Sequence, residues 1–171
     1  MLARYNGQTI DSFRHLSEQI ETEALVKNRR LMTLLAPLAL LASAEGATAA
    51  TLLVTKSVSC GCCKHWVEHM KKAGFQVQVR EVEDVAPTAR RLGVPEKLRS
   101  CHTSQIGGYV IEGHVPASDV KRLLALKPKA AGITVPGMVA GSPGMEQDGM
   151  KQPYKVVLFD KAGKTRVFAS H

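Results

Sequence analysis

Aromatic residues are scarce in this 171-residue chain, since they make up 5% of it and include a single tryptophan. So few rings argue against a core of stacked aromatics and against a platform on which the bases of single-stranded nucleic acid could stack. The sequence contains no internal repeat, which excludes a solenoid. With 44% apolar and 22% charged residues, the length fits one globular domain and leaves no room for a dinucleotide-binding domain plus a substrate domain.

Long apolar runs are also missing. The best candidate, Leu31 to Ala42, is too short for a membrane span, which needs about 20 residues. It follows a basic cluster, Lys27 to Arg30, and precedes two Ala-x-Ala patterns within residues 42–49. A basic segment, a short apolar segment and small residues, in that order, predict a secretory signal peptide over residues 27–49. An uncleaved membrane anchor is the alternative.

The segment before the basic cluster contains acidic residues, which are unusual at the start of a signal peptide. Residues 1–26 are therefore interpreted as an upstream extension of the reading frame, and residues 50–171 as the exported, periplasmic domain. The first 49 residues carry five basic and five acidic side chains, so the net charge of +8 belongs to the exported domain. Its basic side chains are scattered over several predicted elements, as on solvated surfaces, and nucleic acid is not expected as a partner.

Hydrophobic periodicity in residues 50–171 predicts alternating strands and helices. Strands are predicted at Thr51–Val58, Phe75–Val82, Tyr109–Glu112, Lys155–Asp160 and Thr165–Ala169. Helices are predicted at Cys62–Ala73, at Pro87–Leu92 and, capped by Ser118, up to Leu126. Residues 129–153 are rich in Gly, Pro and Met, lack periodicity and are predicted to form a long loop, which is either functional or disordered. This order predicts an α/β fold, with a central mixed β-sheet flanked by helices and ending in an antiparallel hairpin.

All four cysteines lie in this domain, and three of them form the motif Cys60-Gly61-Cys62-Cys63 between the first strand and the first helix. The amino terminus of a helix favours thiolates, which are both nucleophiles and soft metal ligands. Cys60 and Cys63 have the spacing of a thioredoxin-like redox pair, whereas all three cysteines together form a metal-binding motif. Three thiolates are more than a dithiol cycle needs, and crowded soft ligands suit Cu(I) best, with zinc second.

A fourth cysteine, Cys101, is followed by His102 in a polar stretch, and His114 comes after the third predicted strand. These side chains offer another thiol and two imidazoles to the same metal. For Cys101 the alternative is a structural disulfide with one of the three clustered cysteines.

Methionines occur in the long loop, where they have no core to fill. Met138, Met145 and Met150 could supply thioether ligands, which oxidation of the neighbouring thiols would not remove. The alternative is that they are incidental. His65 and His69 are one turn apart on the first predicted helix, away from its apolar stripe, and are interpreted as solvent-facing rather than as ligands.

Several motifs together resemble one protein family. They are Ser59–Trp66, Ser100–Thr103, Gly108–Pro116, Val135–Met138 and Gly141–Glu146. This combination is similar to the CopG-like family of exported copper-resistance proteins, formerly a domain of unknown function, over essentially the whole exported part. The resemblance implies a thioredoxin-like fold and a role in periplasmic copper resistance, with copper efflux or copper oxidase components as partners.

The resemblance also implies a ligand set. The cysteine motif of the family, which binds a multinuclear Cu(I) cluster, corresponds to Cys60, Cys62 and Cys63, and its further cysteine corresponds to Cys101. The accompanying ligands of the family correspond to His102, His114, Met138 and Met145. Unlike thioredoxin, the sequence lacks a closing helix, and a cis peptide bond is predicted at Pro153, with Pro136 as the rival position.

The residues and the resemblance together predict a periplasmic Cu(I)-binding protein that holds more than one copper ion. The alternative is an enzyme, a thiol–disulfide or copper oxidoreductase that uses Cys60 and Cys63. A third reading is a small module whose cysteines only stabilise the fold through disulfides. Adjacent Cys62 and Cys63 argue against this last reading, because neighbouring cysteines rarely bridge each other without strain.

Overall fold

The computed structural model describes residues 50–146 and 149–171. The predicted extension and signal peptide, residues 1–49, lie outside the described residues. The strands are β1 Leu52–Ser57, β2 Val77–Val82, β3 His102–Ile106, β4 Tyr109–Glu112, β5 Gly132–Thr134, β6 Lys155–Phe159 and β7 Thr165–Ser170. The α-helices are α1 Gly61–Lys72, α2 Ala86–Arg91 and α3 Ala117–Leu126, and a single 3-10 turn covers Glu96–Leu98.

The seven strands form one sheet in the order β2-β1-β3-β4-β5-β6-β7. The pairs β1/β2 and β4/β5 are parallel, and the other neighbours are antiparallel. The prediction of an α/β fold with a mixed sheet and a terminal antiparallel hairpin is confirmed. Among the described residues no helix follows β7, and none of the described helices is long and apolar enough to cross a bilayer.

The two faces of the sheet carry separate clusters of buried side chains, because successive strand residues point to opposite faces. One face packs against α1 and α3 through Leu52, Val54, Trp66, Met70, Ile111, Leu123 and Ile133. The other face packs against α2 and the segment after it through Ala89, Val94, Leu98, Val110 and Phe159. The carboxyl end of β1 and the beginning of β3 therefore meet at one end of the sheet, beside the start of α1.

The periodicity misses two strands. Strand β3 has the polar sequence His-Thr-Ser-Gln-Ile, yet four of its five residues are buried. Strand β5 has three residues and lies within 129–153, so the prediction of a loop over that whole range is wrong. Both strands are central in the sheet, where neighbours on both sides satisfy the backbone and outweigh weak local propensity.

The cis peptide bond predicted at Pro153 is wrong, since all peptide bonds between described residues are trans, including the one at Pro136. The residue after Pro153 explains why no tight turn is needed there. Tyr154 exchanges two backbone hydrogen bonds with His171, at N···O distances of 3.0 and 2.9 Å. The chain thus enters the hairpin in an extended, already paired conformation.

Candidate metal centre

The amino terminus of α1 places the cysteine motif at the end of the sheet. Strand β1 ends at Ser57, whose carbonyl accepts a hydrogen bond from the Cys60 N–H at 3.2 Å. Cys60 is the N-cap of the helix, and its Sγ accepts from the Cys63 N–H at 3.3 Å. The sulfur thus occupies the place that a serine or aspartate oxygen usually takes at a cap. When Cys60 is reduced, the unpaired N–H groups of the first turn favour the thiolate over the thiol.

The four cysteines come together in space. The Sγ atoms of Cys60, Cys62, Cys63 and Cys101 all lie within 4.8 Å of one another. Cys60 and Cys63 form a disulfide, and the Sγ of Cys60 is 3.4 Å from that of Cys62. Cys62 and Cys101 are free thiols, so the alternative of a structural disulfide to Cys101 is wrong. The pairing follows from helix geometry, which brings the N-cap sulfur over the residue three positions later.

Cys101 also faces two imidazoles. Its Sγ is 3.0 Å from Nε2 of His114 and 3.5 Å from Nδ1 of His102. The Nδ1 of His114 lies 2.8 Å from the Pro143 carbonyl oxygen, which can only accept, so Nδ1 carries the proton and donates. Nε2 therefore presents its lone pair to Cys101. A histidine held in this way by a backbone carbonyl is the usual arrangement of a metal ligand.

Burial keeps these groups neutral in the absence of a metal. It lowers the pKa of His102 well below its usual value, with the neighbouring His114 acting in the same direction. Burial lowers the pKa of His114 as well. Burial, together with the nearby Cys62, raises the pKa of the Cys101 thiol to about 12. Neutral imidazoles can ligate directly, whereas a bound metal ion would have to displace the thiol proton.

The side chain of Glu112 contacts the backbone next to Cys101, and the sequence analysis did not identify this role. It is completely buried at the end of β4, and its Oε1 accepts the Ser100 N–H at 2.7 Å. Burial raises the pKa of Glu112 to about 7. The Ser100 hydroxyl donates in turn to the Gly137 carbonyl in the long loop. The sequence did offer one signal for Glu112. It is an acidic residue in a short apolar strand, β4, whose side chains are buried on both faces of the sheet.

Lys56 is a second buried charge that the sequence analysis missed. Its side chain is 6% exposed, pairs with Glu81 at 2.8 Å and donates to the Ser57 carbonyl at 2.9 Å. That carbonyl is the one that also receives the Cys60 N–H. Lys56 therefore fixes the turn that leads from β1 into the cysteine motif.

The segment that follows β5, residues 135–146 (the long loop), packs against this site. Gly137 donates its N–H to the Arg99 carbonyl at 3.1 Å, two residues before Cys101. Gly144 approaches α1 so closely that a Cβ there would lie 2.7 Å from the Cys62 carbonyl oxygen. Met138 and Met145 each directly follow one of these two glycines. Met138 is 61% exposed and Met145 is half-buried, and their role as ligands remains a prediction.

The remaining candidates lie elsewhere. Met150 is 55% exposed. His65 is exposed on α1, as expected, but His69 is half-buried, and the interpretation of His69 as solvent-facing is wrong. Its Nε2 accepts the Ala117 N–H at 3.2 Å and so caps the start of α3. A helix start without a capping side chain of its own leaves such N–H groups in need of a partner.

Cys60 lies between two clefts, each of about 430 Å³. One runs between α1 and β2, and its lining mixes valines with charged side chains, among them Lys64, Glu68 and Lys71. The other runs along the start of α2, where Glu83 and Asp84 face the segment that carries Cys101. Cys60 is thus reachable from two sides and Cys101 from one, whereas Cys63 is completely buried.

Comparisons with known proteins relate the chain to copper-resistance proteins of known structure. A family model described as "Protein of unknown function, DUF411" matches residues 98–145, which include Cys101 and both of its histidine neighbours. Two solved structures of copper resistance protein CopG, described as form 1 and form 2, are 40% and 39% identical to this chain. Each alignment covers 71% of this chain and 96% or 98% of the solved one, with TM-scores of 0.67 and 0.68. No curated protein sequence matches.

Proposed function

The chain belongs to the CopG-like family of copper-resistance proteins, and from this premise we propose that it binds Cu(I) through a cluster of cysteine sulfurs. The observation that carries the proposal is the convergence of four Sγ atoms within 4.8 Å of one another. The proposed sulfur ligands are Cys60, Cys62, Cys63 and Cys101. The metal is the cargo of the protein, held for copper resistance rather than for catalysis.

The chemistry of the ligands favours Cu(I) over zinc. Four thiolates so close together are soft donors that can bridge between ions, and Cu(I) prefers such donors. His114 and His102 extend the set on the side of Cys101, with His114 already in the tautomer that presents Nε2. The four sulfurs form one group, and Cys101 belongs also to a second group with the two histidines, so two adjoining sets of donors can hold more than one copper ion. Met138 and Met145 are proposed as further thioether ligands.

Copper uptake requires the reduced protein. In the disulfide form, the sulfurs of Cys60 and Cys63 bind each other and are poor ligands. Two electrons and two protons, supplied by a thiol reductant, convert the disulfide into two thiols, and each thiol releases its proton when it binds the metal. The redox state of this pair thus sets how many sulfurs are available.

The cellular location and the fold type are also part of the proposal. We propose that residues 27–49 direct export to the periplasm and that residues 50–171 form a thioredoxin-like domain. Copper efflux or copper oxidase components are the proposed partners, and the two clefts beside Cys60 are where such a partner could reach the sulfurs. The charge pattern of the amino-terminal segment and the family membership support this assignment.

A second function is favoured by one specific observation. Cys60 and Cys63 already form a disulfide at the start of a helix, and the free thiol of Cys62 is 3.4 Å from Cys60. A thiol so placed can attack a disulfide or resolve a mixed one. The protein would then be a thiol–disulfide or copper oxidoreductase.

An anaerobic Cu(I) titration of the reduced full-length chain, against a competing Cu(I) chelator, tests the proposal. We expect more than one Cu(I) per chain by elemental analysis, with fewer bound or weaker competition in Cys62→Ser. His65→Ala is the matched control, because His65 is on the same helix but exposed, and it should behave like the wild type. If the reduced chain cannot compete with the chelator, the binding function is wrong. Rapid disulfide exchange by the same sample would then favour the oxidoreductase.

A further inference from the structure

The segment that carries Cys101 is attached to the sheet by side chains rather than by strand pairing alone. Ahead of it, the Thr134 hydroxyl donates to the Leu98 carbonyl at 2.8 Å. Next to the cysteine, Oε1 of Glu112 accepts the Ser100 N–H at 2.7 Å, and the Ser100 hydroxyl donates to the Gly137 carbonyl. Ser100 therefore connects the end of β4 to the long loop.

The packing at this point leaves no slack. Gly113, the residue after Glu112, has a positive φ of 71°, and a Cβ there would lie 2.5 Å from the Ser100 Cβ and 2.7 Å from the Val135 carbonyl oxygen. Three segments thus meet within contact distance: the end of β4, the Ser100 turn and the start of the long loop. A shift of any one of them must move the others.

The buried carboxyl group of Glu112 lowers the stability of the fold more than an apolar residue at the same position would. It is completely buried, and its Oε2 has no partner within hydrogen-bond geometry among the described residues, although the Thr103 hydroxyl on the neighbouring strand is near enough to oppose the rise in its pKa. Burial of a carboxyl group with one unsatisfied oxygen is unfavourable, and an apolar residue would pack in a sheet interior without that penalty. What the carboxyl supplies, and an apolar residue cannot, is an acceptor for the N–H next to Cys101.

We propose that Glu112 is a positioning residue of the metal centre, and that the hydrogen-bonded series Glu112, Ser100 and Gly137 (the Ser100 clamp) fixes Cys101 against His114. This inference rests on the proposed function for its consequence, which is copper affinity, but the clamp itself concerns only the position of one thiol. The acceptor oxygen does this work, so a neutral amide at residue 112 should do it equally well.

The clamp can be tested without any metal. In Cys62→Ser, with the Cys60–Cys63 disulfide intact, Cys101 is the one free thiol among the four cysteines, all of which are described. Its alkylation by iodoacetamide should be about tenfold faster when Glu112→Leu removes the acceptor. Glu112→Gln keeps the acceptor and should leave the rate unchanged. Ser104→Ala is the matched control, because it removes a buried polar group of the neighbouring strand β3 that makes no hydrogen bond with Ser100.

Local release must be distinguished from general destabilisation. A rate that stays constant at low denaturant reports local opening, whereas a rate that rises with denaturant reports global unfolding. Faster alkylation that is independent of denaturant and rescued by Glu112→Gln supports the clamp. An unchanged rate in folded Glu112→Leu overturns it, and so does a change that is wholly global.

Copper affinity gives the second readout. In the reduced four-cysteine chain, Glu112→Leu should weaken Cu(I) binding by about 10- to 100-fold, the usual cost of losing a group that orients a ligand. Glu112→Gln should match the wild type. If the wild type binds no Cu(I), the proposed function fails while the alkylation rates still decide the clamp.

A variant at Ser100 keeps the test decisive if Glu112→Leu does not fold. Ser100→Ala retains the backbone hydrogen bond and removes the two contacts of the hydroxyl, one with the Gly137 carbonyl and one with the Cys101 Sγ at 3.9 Å. We expect a rise of about threefold in the alkylation rate of Cys101, because one of the two links is lost. An unchanged rate in folded Ser100→Ala would show that the clamp does not hold this thiol.

Discussion

Gly144, in the long loop, lies directly against the backbone of α1. Its φ is 82°, and a Cβ would lie 2.6 Å from the Trp66 backbone nitrogen and 2.7 Å from the Cys62 carbonyl oxygen. Both contacts are with helix backbone, which cannot move aside. Gly144→Ala should therefore displace the loop and lower the free energy of unfolding by about 2–4 kcal/mol, measured by denaturant titration.

The matched control for this change is Gly74→Ala. Gly74 also has a positive φ, 92°, but nothing lies within 4 Å of a Cβ there. It should cost only the backbone strain of about 1–2 kcal/mol. Equal losses in the two variants would show that the loop does not press on α1. Because Pro143 holds His114, Gly144→Ala should also weaken copper binding, whereas Gly74→Ala should not.

His69 makes the stability of the apo protein depend on pH. Its Nε2 must be unprotonated to accept the Ala117 N–H, and partial burial lowers its pKa, with Glu146 opposing and Lys72 reinforcing that shift. Because the pKa is lower in the folded than in the unfolded chain, this stability is complete above about pH 6.5 and is lost as the pH falls below it. Glutamine offers an acceptor that does not titrate in this range. His69→Gln should thus lose less stability than the wild type between pH 8 and pH 5.

Other groups titrate in the same window, so the measurement is a difference between variants. Burial lowers the pKa of His102 and His114, which adds to the loss in acid, whereas it raises the pKa of Glu112 to about 7, which opposes it. These groups are common to wild type and variant. His65→Gln, on the exposed side of α1, should follow the wild-type curve. Parallel curves for His69→Gln and wild type would contradict the capping role.

The residues of the site differ in how far the sequence could reveal them. Cys60, Cys62 and Cys63 are adjacent in sequence, so local spacing was enough to predict that they meet. Cys101 meets them only because β3 pairs with β1, and that strand was not predicted. Glu112 was placed in a predicted strand, but its role could not be predicted, because that role depends on which backbone N–H the fold brings to its carboxylate.

Among the elements, the predictable ones carried a clear period. Helix α1 has a regular buried stripe of Cys63, Trp66, Val67 and Met70, and its bounds were predicted to within about one residue. Strand β3 has a polar sequence typical of a surface loop, although most of its side chains are buried. Its burial serves the site, since His102 touches both Trp66 and His114. Hydrophobic periodicity predicts the burial of apolar side chains. It cannot predict the burial of polar side chains that are placed there for the site.

Strand β5 depends on Gly132 for its contact with β4. A Cβ at this position would lie 2.0 Å from the Val110 carbonyl oxygen, so the two strands could not keep their parallel pairing. We expect Gly132→Ala to lower the free energy of unfolding by about 3 kcal/mol, because the clash is with backbone. Thermal unfolding followed by circular dichroism would measure it.

The control for this strand contact is Gly61→Ala at the start of α1. Neither glycine has a positive φ, and nothing lies within 4 Å of a Cβ at Gly61. Alanine there should be neutral or stabilise by up to about 1 kcal/mol. A loss in Gly132→Ala no larger than in Gly61→Ala would mean that the sheet adjusts at little cost.

At the level of the whole molecule, the proposed copper ligands come from parts of the chain that lie far apart in sequence. Cys60, Cys62 and Cys63 lie within four residues and could bind Cu(I) even in an unfolded chain. Cys101 and His114 reach them only after β3 and β4 have joined the sheet. A ligand stabilises a protein only to the extent that it binds the folded state better than the unfolded one.

Copper should therefore stabilise the fold mainly through Cys101. For reduced wild type, Cu(I) at about 100 times the dissociation constant should raise the free energy of unfolding by up to about 2.7 kcal/mol, less whatever the unfolded chain binds. Cys101→Ser should bind Cu(I) only with the affinity of the local motif, weaker than wild type by at least the loss expected for Glu112→Leu, and should lose most of this stabilisation, because the three remaining cysteines can bind copper in the folded and in the unfolded chain alike. Anaerobic thermal unfolding with and without Cu(I), each variant compared with its own apo form, measures the difference. Equal copper-dependent stabilisation in wild type and Cys101→Ser would mean that the local motif alone holds the metal and that the fold only presents it.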